Sequence, residues 1–75
     1  MTNVAKVITV IGNSPESFAK AADAAVQEAA KTVRGISGAD VISMSADVQD
    51  GRITSYKTTV NIAFAVETGG AGAGG

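Results

Sequence analysis

The sequence predicts an α+β fold of order β-α-β-β, in which a three-stranded antiparallel sheet packs on one helix and further copies of the chain complete the core. Three observations predict it. From Tyr56 to Val66 one side reads Tyr56, Thr58, Val60, Ile62, Phe64, Val66 and the other Lys57, Thr59, Asn61, Ala63, Ala65, a period-two run about twice the usual strand of roughly 5–6 residues. Ser14-Pro15-Glu16 opens a stretch with helical periodicity. Gln49-Asp50-Gly51 joins two extended segments as a hairpin signal.

Val4 to Ile11 is β-branched and nearly continuous in apolar character, as expected of a strand with both faces partly buried. Gly12-Asn13 is read as the turn that follows. Ser14 is then the N-cap, Pro15 the first helical position, and Glu16 the complement to the helix dipole. The helix is expected over Pro15 to Val33. Its apolar stripe is Phe18, Ala22, Ala25, Ala29 and Val33, flanked by Ala21 and Val26. Glu16, Lys20, Asp23, Gln27 and Lys31 form the opposite, solvated stripe. Gly35 supplies the stop, and Ile36-Ser37-Gly38 is a short connection to a second strand over Ala39 to Val48.

The hairpin admits two registers. A two-residue Asp50-Gly51 turn sets Ile42, Met44 and Ala46 beside Thr59, Lys57 and Ser55. A three-residue loop with a left-handed Gly51 sets them beside Thr58, Tyr56 and Thr54. The second register joins Ile42, Met44, Ala46 and Val48 to Tyr56, Val60, Ile62 and Phe64 on one face, and it is the one the apolar pattern favours. The other face then carries Ala39, Val41, Ser43, Ser45 and Asp47 with Lys57, Thr59, Asn61 and Ala63. With the helix reversing the chain after the first strand, placing the long third strand in the centre (order 1-3-2) makes every neighbouring pair antiparallel.

Seventy-five residues allow one domain, expected over 1–68, followed by an unstructured Gly/Ala tail over 69–75. So small a core barely offsets an ordering cost of about 1.5 kcal/mol per residue. Cysteine and histidine are absent, which removes disulfides and the usual zinc ligands. Subunits are left to supply the missing burial. A net charge of −1 with six dispersed cations argues against a nucleic-acid partner. No apolar run approaches the ~20 residues of a membrane span, and a soluble cytoplasmic protein is expected. No nucleophile–base pair is assembled from this inventory, so no catalytic residue and no enzyme is expected.

The run Lys6-Val7-Ile8-Thr9-Val10-Ile11-Gly12-Asn13-Ser14-Pro15-Glu16-Ser17-Phe18, then Ala29 to Arg34, Ala39-Asp40-Val41, the Asp50-Gly51 hairpin and Tyr56 to Phe64, resembles the dodecins. The resemblance implies a hollow shell of twelve subunits that holds a small molecule, by family default a flavin, at subunit interfaces and stores or buffers it. It points to Gly38, Ser45, Tyr56 and Lys57 as ligand-binding positions. Flavin-binding members carry a stacking tryptophan where this chain has Gly38, and a ring-edge glutamine where it has Lys57. Many carry a phosphate-binding arginine where it has Ser45. These departures imply weak or absent flavin binding and leave the cofactor unknown. A flavin-independent structural shell, or a shell binding metal ions or coenzyme A-type anions, are the alternatives.

On the residues alone, Lys57 is a ligand cation, the partner of Asp47 or Asp40, or an ordinary solvated lysine. Gly38 either opens a pocket or supplies a loop conformation. The helix start at Gly12-Asn13-Ser14 is an anion site only if Ser14 is not simply capping its own helix. Asp47 and Asp50 flank the hairpin, but one chain supplies too few oxygens for calcium, so no metal site is assigned.

Overall fold

The computed structural model describes residues 4–66, and the tail expected at 69–75 lies outside them. Four elements follow one another: β1 (Val4–Ser14), α1 (Phe18–Ala30), β2 (Ile36–Gln49) and β3 (Arg52–Val66). They form one antiparallel sheet of order β1-β3-β2. The expected architecture and the central place of the third strand are both present.

The core lies between α1 and the β1–β3 half of the sheet. Ala25 and Ala29 of the helix meet Val60 and Ile62 of β3, with Ile8, Val10, Ala22, Val26 and Ile36 packed around them. The small helix residues let α1 lie close to the strands. It lies directly over Gly12, where an added Cβ would collide with the carbonyl of Ala21. Gly12 is therefore not the turn expected of it: β1 continues through Asn13 to Ser14, and the missing side chain makes room for the helix.

The helix boundaries differ from expectation for a local reason. Ser17, not Ser14, is the N-cap, and its Oγ accepts from the N–H of Lys20. Ser14 is buried at the end of β1, and its Oγ accepts from the N–H of Glu16 in the connecting turn. Pro15 lies in that turn, outside the helix. At the other end the helix stops at Ala30 rather than Val33, closing with bonds from Lys31, Thr32 and Val33 back to Glu28 and Ala29. Gly35, at φ 74°, then swings the chain into β2. Ile36, expected in a connection, already belongs to the strand and opposes Phe64. The charged stripe is solvated as expected, with a Lys20–Glu16 pair at 2.7 Å and a Gln27–Asp23 hydrogen bond.

The expected three-residue hairpin loop is overturned. Asp50 (φ 53°) and Gly51 (φ 74°) are both left-handed, the conformation of a two-residue type I′ turn, and Gln49 directly opposes Arg52. The register then shifts three times. Thr54 is an extra residue in β3, and Ile42 and Ser37 are extra residues in β2. The first shift returns Met44 and Ala46 to the helix side, opposite Thr58 and Tyr56. The second puts Val41 and Ala39 on that side too, opposite Val60 and Ile62. Those two were expected on the other face, and Ile42, expected among the helix-side residues, has no cross-strand partner.

The helix covers β1 and β3 and reaches β2 only at its margin. Met44 and Val48 are consequently 60% and 61% exposed, with Val41, Ile42 and Ile53 also open to solvent. The Cα radius of gyration is 15.8 Å, against about 11 Å for a compact chain of this length. The long β2–β3 hairpin stands out beyond the core that a single copy can build.

Candidate ligand site on the open sheet face

Cross-strand partners in an antiparallel sheet share a face, so the register sorts the side chains. The face away from the helix carries Val7, Thr9, Ile11 and Asn13 of β1. From β3 it takes Arg52, Ser55, Lys57, Thr59, Asn61 and Ala63, and from β2 Gly38, Asp40, Ser43, Ser45, Asp47 and Gln49. Two regions can be told apart along it. Near Gly38 and Ala63 the surface is smooth, and a Cβ at Gly38 would meet nothing within 4 Å. Near the hairpin it is polar.

The polar end is organised around Asp47. Its Oδ2 accepts from Ser55 Oγ at 2.9 Å and lies 3.3 Å from Lys57 Nζ. The Ser55 hydroxyl first, and then the Lys57 ammonium, hold the Asp47 carboxyl below its ordinary value. Ser45 directly opposes Lys57. Further along, Thr9 Oγ1 donates to Asn61 Oδ1 at 2.7 Å, and Asp40 opposes Asn61 on the other side.

The four positions singled out in the sequence are thus divided. Ser45 and Lys57 are neighbours. Gly38 shares their face but lies six residues away along β3, about 20 Å at a strand rise of ~3.3 Å per residue. Tyr56 is on the helix side, its ring edge-on to Phe18 with centroids 4.9 Å apart. No single copy gathers all four around one ligand. The expected Lys57 partnership is with Asp47, not Asp40. Ser55 was missed by the sequence reading, because its place opposite Asp47 depends on the extra residue at Thr54. The helix start offers no ready anion site: Ser14 and Ser17 each accept a backbone N–H there. Among the described residues no three His, Cys, Asp or Glu side chains cluster as metal ligands, and no helix is long and apolar enough to cross a membrane.

The fold and this surface can be set beside known proteins. The dodecin family model matches residues 4–67. The chain belongs to the dodecin family. It is 40% identical to calcium dodecin of Mycobacterium tuberculosis, a calcium-chelating immunodominant antigen with a novel calcium-binding site. That match has a TM-score of 0.73 and covers 81% of this chain and 87% of that one. An arginine-to-alanine mutant of the T. thermophilus dodecin superposes with TM-score 0.86 at 25% identity, covering 91% of this chain and 100% of that one. The dodecin of Streptomyces davaonensis shares the fold with TM-score 0.85 at 20% identity, again over 91% and 100%. No match was found among curated proteins.

Proposed function

We propose that this dodecin is a non-catalytic cytoplasmic shell of twelve identical subunits that binds and buffers a small molecule where subunits meet. The observation that carries the reading is the apolar surface one copy leaves uncovered: Val41, Ile42, Met44, Val48 and Ile53 on the hairpin, and Val7 and Ile11 on the open face. So many exposed apolar side chains on so small a chain are the mark of interfaces. Membership of the dodecin family supports the closed shell.

The wide separation of Gly38 from Lys57 supports a site built from more than one subunit. Flavin is the family's default ligand, but the residues for it are altered. Nothing at Gly38 supplies a stacking surface, a contact worth about 0.5–1.5 kcal/mol beyond area burial, and the lysine at 57 is already engaged by Asp47. A second reading, a calcium-binding shell, is favoured by the 40% identity to calcium dodecin.

Mass spectrometry of the intact assembly under native conditions tests the reading, because it reports subunit number and cargo mass together. Twelve subunits carrying an organic molecule are the expected result. Twelve subunits carrying calcium alone favour the second reading, and twelve with no cargo a purely structural shell. A folded monomer at micromolar concentration sinks the proposal.

A further inference from the structure

The sheet has two outer strands, and they are not equally defended. β1 and β2 flank β3, and each presents one edge of backbone N–H and C=O groups that β3 does not reach. Such an edge invites another strand unless bulges, charges or proline blunt it. β2 carries two bulges, at Ser37 and Ile42, and two carboxylates, Asp40 and Asp47. β1 is bare by comparison. Its register with β3 runs unbroken from Val4 to Ser14, it holds no proline, and its one charge, Lys6, stands near an end. Among the described residues no backbone-to-backbone bond reaches β1 from any element but β3. Its open-face side chains are also out of character. Where β2 and β3 present polar or small residues on that face, β1 presents Val7 and Ile11, 57% and 64% exposed, on either side of Thr9.

We infer that the outer edge of β1 is where two copies join, their β1 strands pairing antiparallel about a twofold axis at Thr9 so that two sheets become one. The inference rests on the proposed shell and names one of its contacts. The occupant of the edge is a second β1 because the strand is complementary to itself. Reversed about Thr9, it sets Val7 of one copy opposite Ile11 of the other, Ile8 opposite Val10, and Thr9 opposite Thr9. These are β-branched pairs of the kind that stabilise antiparallel neighbours. Lys6 falls opposite Gly12, so no like charges meet. The register is the one of longest overlap, and a slide of two residues either way separates Val7 from Ile11. A slide of one sets open-face side chains against helix-side ones. Contacts of this kind, one patch meeting its own copy across a twofold, are the commonest in soluble assemblies. The two open faces then form one continuous surface with the apolar strip at its middle.

The chain has no cysteine, so a single introduced one reports the contact. In this pairing the two Thr9 Cα atoms stand about 4.5–5.5 Å apart. The two Asn13 Cα atoms, each opposite an Ala5, stand roughly 27 Å apart at a rise of ~3.4 Å per residue. With a short bifunctional thiol reagent, Thr9→Cys is expected to form covalent dimers at least tenfold faster than Asn13→Cys. A reciprocal pair of changes checks the register without a reagent. Val7→Lys and Ile11→Glu should each weaken association at least tenfold on sedimentation. The two together in one chain should associate at least threefold more tightly than either, because each new ammonium then faces a new carboxylate across the axis. Circular dichroism checks that each variant is folded. Equal cross-linking at the two positions overturns the inference, as does a folded double variant no better associated than either single one. The shell is judged separately on the wild type. A particle of twelve whose Thr9→Cys variant does not cross-link keeps the shell and loses this contact, and a wild-type dimer whose variant does cross-link keeps the contact and loses the shell.

Discussion

β2 and β3 are the two arms of one hairpin, comparable in length and apolar content, yet their fates differ. On β3, Thr58, Val60 and Ile62 are fully buried beneath the helix. Directly opposite on β2, Met44, Val41 and Ala39 face the same side and remain exposed. The difference is reach: a 13-residue helix is wide enough for β1 and β3 and stops short of β2. Apolar residues on β3 therefore serve the fold of one copy, and those on β2 are left over for the contacts between copies in the proposed shell.

The contrast can be broken most severely at the point that fixes where the helix sits. Gly12→Val drives a side chain into the Ala21 carbonyl, and the expected loss is about 3 kcal/mol or more, the upper range of overpacking. A fall in the urea midpoint checks it. A matched pair sharpens the comparison next. Ile62→Ala, in the core, should cost about 2–5 kcal/mol and lower the unfolding midpoint at any protein concentration. Ile42→Ala, on the exposed arm, should leave the fold nearly untouched and instead weaken assembly, seen as a shift to smaller species on dilution. Equal effects of the two on assembly would erase the division of labour between the strands.

The smallest expected effect concerns acid. Because the Asp47 carboxyl is held low by Ser55 and Lys57, its contribution is complete above the ordinary value of 3.8 and is lost as pH falls further, through the lowered folded value. Asp47→Asn should lower stability slightly at neutrality, where the contribution is complete, and flatten the acid limb below about pH 4, where variant and wild type converge. The pair is exposed, so the change is small and weakens with added salt.

Much of this was readable in the chain, and the failures have specific causes. The alternation from Tyr56 to Val66 identified the helix-facing side of β3 correctly, because no bulge interrupts β3 there. The hairpin was misread because the apolar pattern was used to choose its register: Asp-Gly is a favoured type I′ pair, and the bulge at Thr54, not a longer loop, brings Met44 and Ala46 to the helix side. The bulges at Thr54, Ile42 and Ser37 leave no compositional trace, so the side assignment of Met44 and Ala46 came out right and that of Val41 and Ala39 wrong. Two serines three residues apart compete to cap the helix, and only the length of β1 decides for Ser17. At the candidate site, the Lys57–Asp47 pairing was visible as one option of two. The gap between Gly38 and Lys57 was not, since it depends on the register.

Thr54, Ile42 and Ser37 stand outside the pairing ladder of the hairpin. Deleting Thr54 would remove a bulge and its local bend while leaving Asp47 opposite Ser55 and Val48 opposite Ile53, whereas deleting a paired residue such as Ser55 would throw the polar end of the sheet out of register. Length changes in this hairpin are therefore best tolerated at its unpaired bulge residues and at the Asp50-Gly51 tip, where Gly51 has empty space around it. That tip is the natural place to graft a foreign peptide without disturbing the fold of a single copy.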